Sequence, residues 1–329
     1  MPTGPVAPDE VAAAAKGFAE TVRRVEEGGL SFPLPGSGRT AERLAALRAV
    51  AEAGLSTARL VEGHVDATAI LAELGAPSPV PGERWGVWAA EPPGEGLIAV
   101  RQGAGWVVSG LKRYCSGAHS CTHALVTARA GGSRRLFAVR VAAEGCRPVE
   151  GTWSAVGMAG SDTPDVRFAD VPASAVGEPE AYVSRPGFWH GGVGVAACWY
   201  GGAVAVSRVL REAAADGADP HIDAHLGAVD VQLYAAVTLL RRAAREIDAD
   251  PYDERGEARL RAMRVRAFVE SVCREVLDRV GRATGAGPLC GDAGHARAVA
   301  DLGVYIRQHH AERDLAGLGA SLARPGVRR

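Results

Sequence analysis

The sequence predicts an α+β fold, mostly α, in which N-terminal helices, a small central β-barrel or sandwich and a C-terminal helical bundle follow one another. Three observations predict it. Apolar residues recur at helical spacing before residue 75, short β-rich runs are cut by proline and glycine between 76 and 183, and long amphipathic stretches return from 184 onward. The domains expected are therefore 1–75, 76–183 and 184–329. At 329 residues, with 47% hydrophobic and 23% charged, the chain has the balance of a well-packed globular protein.

The first domain is helical from Val11 to Leu74, interrupted by the Pro/Gly-rich stretch 31–38. Thr40 reads as a cap that opens a helix over 40–60, with Leu44, Leu47, Ala51, Leu55 and Leu60 on one stripe. In the second domain the strand candidates are 85–89, 106–109, 124–127, 136–141 and 166–168, and Gly103 to Gly110 reads as a turn leading into a strand. In the third, 226–247 places Leu226, Val229, Leu233, Val237 and Leu240 on one face. The stretch 260–280 does the same with Met263, Phe268, Val272, Val276 and Val280, and a last helix runs near 295–310. Breaks fall at 216–223 and at 248–256 around Pro251.

Charge excludes some partners. A net charge of −1, from 37 basic and 38 acidic residues, gives no global field for nucleic acid or an anionic membrane. The basic clusters at Arg241-Arg242 and from Arg261 to Arg266 alternate with apolar residues and read as solvated helix faces. The six cysteines form no CxxC pair and no zinc-finger spacing, so no metal site is expected, and scattered thiols fit a reducing cytoplasm. His221 and His225 are spaced i, i+4, but neither a Glu for HExxH nor a third ligand accompanies them. The N-terminus lacks a basic-then-apolar signal pattern. The stretch 186–207 is long enough to span a bilayer but holds six glycines and few large aliphatics, so it reads as a buried core helix.

Local motifs add a family resemblance. Trp88-Ala89-Ala90-Glu91-Pro92 resembles the Thr-Glu-Pro strand end of the acyl-CoA dehydrogenase superfamily. The run from Gly105 to Lys112 resembles that family's Gly-x-x-x-x-Gly-x-Lys hairpin, and Tyr114-Cys115-Ser116-Gly117-Ala118 stands in place of its Trp-Ile-Thr/Ser segment. Gly157-Met158-Ala159-Gly160-Ser161, followed by 166–172, is similar to its Gly-Met-Arg-Gly-Ser/Thr … Phe-x-x-Val-x-Val-Pro pattern. The resemblance covers about residues 40 to 312. It implies FAD, with FMN as the alternative, bordered by the β domain, and places Trp88, Ala90, Tyr114, Ser116, Gly285 and Gly287 at the flavin. The physical demand is an aromatic wall for the ring and a hydrogen bond for its polar edge, which Tyr114 and the Ser116 hydroxyl would supply. The resemblance also implies a homodimer or homotetramer, and a small-molecule substrate such as a CoA or carrier-protein thioester.

The chain departs from the family at its chemistry. The family's dehydrogenases remove an α-proton with a glutamate, and an ungapped alignment of 300–310 puts His309 in its place. The other glutamate position used by some relatives falls in 187–192, which holds no carboxylate. Ala90 replaces the usual threonine, and no Arg-x-x-Phe-Gly appears around 219–223. Histidine is a general base near neutral pH, so His309 or His310, adjacent at a helix end, is the expected substitute, with His190 a weaker candidate. Glu312 is the nearby carboxylate. Three readings follow. The first is a divergent FAD-dependent oxidoreductase acting on an acyl thioester or acyl-like substrate. The second is a reduced-flavin monooxygenase on the same fold, which needs no α-proton base. The third is a non-catalytic subunit that has lost flavin and pairs with a homologue.

Overall fold

The computed structural model describes residues 8–94, 96–217 and 219–323. Its helices are α1 (Pro8–Glu26), α2 (Thr40–Ala53), α3 (Leu55–Glu73), α4 (Ala181–Ser184), α5 (Pro186–Val206), α6 (Arg208–Asp216), α7 (Pro220–Ala249), α8 (Ala258–Thr284), α9 (Gly287–Gly291), α10 (Ala293–Tyr305) and α11 (Glu312–Leu322). Between α3 and α4 lie β1 (Trp85–Trp88), β2 (Leu97–Gln102), β3 (Gly105–Lys112), β4 (His123–Ala130), β5 (Ser133–Arg140), β6 (Cys146–Val149) and β7 (Asp165–Val176). The predicted order of helices, β domain and helices is present.

The chain forms two compact units whose limits cut across the first predicted domain. Unit one holds residues 1–31 and 56–188, and unit two holds 32–55 and 189–329. Gly54, in extended backbone, ends α2, so the single helix expected over 40–60 is two helices.

In unit one the strands run β1-β4-β2-β3-β7-β5, and β5 pairs back with β4, closing a small barrel. β1 and β4 are parallel, Trp85 opposite His123, whereas β3 lies antiparallel to both β2 and β7. Ala67, Ile70 and Leu71 of α3 pack on Trp85, Leu125, Leu136 and Val176 to make a core. His64 ties the same helix to the sheet, since its buried Nδ1 accepts the Trp85 backbone N–H at 3.2 Å. β2 and β6 were not predicted. β2 follows Pro92-Pro93-Gly94 and leaves Ile98 and Val100 exposed at 60% and 57%, so its apolar–polar alternation is hidden. β6 contains Pro148, which disfavours a strand reading except at an edge.

In unit two, α7 buries Val229, Leu233, Ala236, Leu240 and Ile247, close to the predicted stripe. It starts earlier than expected, at Pro220, with Asp219 capping the His221 N–H at 2.8 Å. α8 corrects the sequence reading. Its buried stripe is Val265, Val269, Val272, Val276 and Val280, while Phe268 is 37% exposed, because a step of five from Met263 leaves the helix face. The basic cluster is not simply solvated either: Arg261 is buried against Glu246 at 3.2 Å.

Thr40 does not cap α2 with its own side chain. Asp248 of α7 does so instead, accepting the Gly38 N–H at 3.0 Å, the Thr40 N–H at 3.1 Å and the Thr40 hydroxyl at 2.6 Å. The glycines of α5 serve close packing. A Cβ on Gly201 would stand 2.4 Å from the Arg48 carbonyl oxygen, and one on Gly202 2.8 Å from Leu55. The apolar stretch 186–216 that meets the length of a membrane span is mostly buried within the fold.

Candidate functional site

Four of the residues that the resemblance placed at a flavin, Trp88, Ala90, Tyr114 and Ser116, lie in unit one, and two do not. β1 ends at Trp88, which is 1% exposed, and its indole N–H donates to the Ser116 carbonyl at 2.9 Å. Trp88 therefore braces Ser116 from inside and offers no ring face to solvent. Ala90, two residues on, is exposed. After β3 the chain turns through Tyr114, whose φ of 60° puts a non-glycine residue in the left-handed region. Its ring is half exposed.

The approach to β7 holds this turn. Pro164 accepts the Cys115 N–H at 2.9 Å, Ser161 and Asp162 accept the Gly117 N–H at 2.9 and 2.8 Å, and Asp162 Oδ2 accepts the His119 N–H at 2.8 Å. Met158 and Asp162 also have positive φ, so three of the seven such non-glycine residues among the described residues lie in this one hydrogen-bonded block. Backbone strain of this kind persists only where the surroundings enforce it. A buried hydroxyl chain runs inside the block: Ser161 to Thr163 at 2.8 Å, and Thr163 donating to Ser116 Oγ at 3.1 Å.

A cavity of about 970 Å³ opens beside Ala90, between the segment after β1 and the β2–β3 hairpin. Lys112, at the end of β3, and Thr127, on β4, line it and are 2% and 1% exposed. Burial lowers the Lys112 ammonium to about 8.

The two exceptions, Gly285 and Gly287, lie in unit two. Both are exposed, and Gly285 takes φ 64° at the end of α8, a conformation suited to glycine.

Unit two holds the three histidine candidates. α10 ends at Tyr305, a single 3₁₀ turn spans Ile306–Gln308, and His309 follows in extended backbone. Its side chain is 3% exposed, whereas that of His310 is 61% exposed, so the two adjacent residues face apart. His309 Nδ1 is buried and has no hydrogen-bond partner among the described residues. Desolvation holds its pKa below the ordinary histidine value, with Asp314 opposing that shift.

The carboxylate that serves this pair is Asp314, which the sequence reading did not single out, and not Glu312. Asp314 lies 3.9 Å from His309 Nε2 and 3.4 Å from His310 Nδ1, and it accepts the His310 N–H at 3.0 Å. Ala311, at φ 46°, makes the turn that folds Asp314 back.

α8 grips the same stretch. Arg266 donates to the Gln308 carbonyl at 2.9 Å and to the Gly192 carbonyl at 3.3 Å, with its guanidinium 4.6 Å over the Trp199 ring. Buried Glu270 holds Arg307 at 3.2 Å and Arg274 at 3.0 Å. An i+4 spacing between Arg266 and Glu270 was the only available signal, and it is common to surface helices. His190 is separate from this group: it is buried, and its Nε2–H donates to the Pro251 carbonyl at 3.1 Å.

Helices, a closed small barrel and a helical bundle in this order make the acyl-CoA dehydrogenase fold. No family model matches the chain, and no curated protein does. Solved structures do. KijD3, solved with FMN and dTDP-3-amino-2,3,6-trideoxy-4-keto-3-methyl-D-glucose, is 21% identical with TM-score 0.75, covering 100% of this chain and 95% of its own. TdsC, the dibenzothiophene monooxygenase of Paenibacillus sp. A11-2, solved with FMN and indole, is 18% identical with TM-score 0.74, covering 96% of each chain. Butyryl-CoA dehydrogenase of Megasphaera elsdenii is 17% identical with TM-score 0.73, covering 86% of this chain and 82% of its own.

Proposed function

We propose that this protein is a flavin-dependent oxidoreductase, and within that class a monooxygenase that works with reduced flavin. The observation that carries the reading is His309: a buried imidazole with its pKa lowered by desolvation and its Nδ1 without a partner among the described residues, at the residue that the ungapped sequence alignment sets against the dehydrogenases' glutamate. A dehydrogenase needs a carboxylate there to remove an α-proton. Asp314 instead lies 3.9 Å behind the imidazole, at Nε2.

The residues present suit a flavin. Tyr114 is turned outward in a strained backbone conformation by a braced loop, and Ser116, two residues on, carries a hydroxyl held by Thr163. Within unit two, the buried His309 Nδ1, without a hydrogen-bond partner among the described residues, is a polar atom that a substrate would satisfy. Within unit one, Tyr114, Ser116 and the backbone at Ala90 would hold the flavin. Bound in reduced form, it would supply the two electrons that let dioxygen place one oxygen atom on a substrate, the other leaving as water.

The protein's own part is proton handling and exclusion of water. A carboxylate near Nε2 favours the tautomer with the proton on Nε2, which leaves the Nδ1 lone pair to accept a proton. Arg266 and Glu270 keep the His309 stretch on α8, so the imidazole does not drift into solvent. Trp88 and Thr163 fix Ser116 from behind. A small aromatic or heteroatom-bearing molecule fits this chemistry better than an acyl thioester, since no α-proton has to be removed. The reading includes self-association, supported by Val231 and Tyr234 standing 65% and 70% exposed on α7, and light scattering would report a dimer or tetramer.

The test supplies reduced FMN or FAD from a separate reductase and follows oxygen uptake and substrate oxidation on a panel of small aromatics and amines. Oxidation of at least one compound that depends on the protein supports the monooxygenase. Bleaching of protein-bound oxidised flavin by butyryl-CoA under anaerobic conditions would instead make it a dehydrogenase. Refusal of both flavins in both redox states would make it a non-catalytic subunit.

A further inference from the structure

Of the 37 basic residues, only Lys16 and Lys112 are lysines. Lys16 is exposed on α1, whereas Lys112 is 2% exposed at the 970 Å³ cavity of unit one. Its ammonium has three N–H donors. Thr127 takes two of them, through its carbonyl at 3.0 Å and its hydroxyl at 2.7 Å. Among the described residues nothing takes the third.

No carboxylate among the described residues forms an ion pair with Lys112 either. Glu91, the one that acts on it most strongly, is held by Arg134 at 2.9 Å. Asp170, also at the cavity, is engaged by Ser109 at 2.7 Å. A buried cation bonded only to neutral oxygens is costly, and an anion that reaches it recovers much of that cost. Arg129, exposed at the rim of the same cavity, has no ion-pair partner among the described residues. Ile98, Val100 and Val107 supply an apolar wall, the first two of them conspicuously exposed.

We propose that this cavity binds a small organic oxyanion, with Lys112 receiving its carboxylate or phosphate group, Arg129 closing over it, and its apolar body lying along Ile98, Val100 and Val107. The site is built within unit one and does not rest on the flavin reading.

Having only two lysines makes the test direct. In protein carrying ¹³C at lysine Cε, Lys16 is an internal control for Lys112. The Lys112 midpoint is followed by pH titration with inorganic phosphate, hexanoate or neutral hexanol, at matched ionic strength. The free site titrates near 8. Either anion is expected to raise that midpoint by about one unit, a tenfold tighter hold on the proton, with Lys16 unmoved. Whichever anion acts at lower concentration identifies the group as phosphate or carboxylate. R129Q, a rim substitution that leaves the core intact, is expected to weaken the anion effect several-fold, and K112M to remove it. A Lys112 midpoint that neither anion moves overturns the proposal, as does an equal response to hexanol.

Discussion

His64 couples folding of unit one to pH. Its Nδ1 accepts the Trp85 N–H, so the ring can hold this bond only while that nitrogen is unprotonated, and burial lowers its pKa to about 4 from an ordinary 6.5. The folded state therefore resists a proton that the unfolded chain accepts. Stability from this residue is complete above about pH 6.5 and is lost as the pH falls toward 4. Between pH 7.5 and 4.5 that shift amounts to about 2 to 3 kcal/mol. The perturbation is His64→Asn, which keeps an acceptor near the Nδ1 position and removes the titration. Urea unfolding followed by tryptophan fluorescence at several pH values gives both stabilities, and their difference cancels the other titrating groups. The wild type is expected to lose about 2 to 3 kcal/mol more than the variant over this range. Parallel pH profiles would refute the reasoning, since they would mean that His64 protonates equally in both states.

Other predictions follow from single contacts. Trp88→Phe removes the indole donor and leaves the Ser116 carbonyl without it, at a cost of about 1 to 3 kcal/mol in unfolding experiments; weaker flavin retention is expected with it. Asp248→Ala strips three hydrogen bonds from the start of α2 and should lower stability by about 2 kcal/mol, whereas Asp248→Asn should recover part of that. His309→Gln should cut product formation by about 10² to 10⁴ while flavin binding, measured by fluorescence, is kept. Because burial lowers the His309 pKa, the acid limb of the wild-type rate profile should fall below pH 6.5 and be absent from that variant. A limb above that value would mean that the imidazole is not desolvated.

The order of elements could be read from the sequence because each domain has its own texture. Helical spacing set α7 and much of α8, and Gly/Pro punctuation marked the β domain. The misses have local causes. Ile98 and Val100 face outward on β2, so no alternation announced the strand. Gly54 broke a stripe that runs on smoothly in apolar residues through Leu60. Phe268 was set inward on a spacing near four from Met263 to Val280, and the true face passes through Val265 and Val269.

The candidate site was legible only where its residues are adjacent in sequence. Tyr114 and Ser116 stand in one motif, but the residues that brace them, Trp88 and Thr163, are distant in the chain. Trp88 entered through the resemblance of 88–92 to a strand end that borders a flavin, and the fold buries it with its indole N–H on the Ser116 carbonyl. Glu312 drew attention as the nearest acid after His309-His310, yet the left-handed turn at Ala311 brings Asp314 round to them. Lys112 lay inside a recognised hairpin motif, and its isolation as the one buried lysine emerged only with its surroundings.

The most direct test of the central claim is an anaerobic titration of the protein into reduced FMN and reduced FAD, followed by rapid mixing with oxygenated buffer. Saturable binding of the reduced form, with flavin reoxidation at a rate set by the protein and altered in His309→Gln, is the predicted result. Reoxidation that proceeds as in free solution at every protein concentration, with no binding of either reduced flavin, would contradict it.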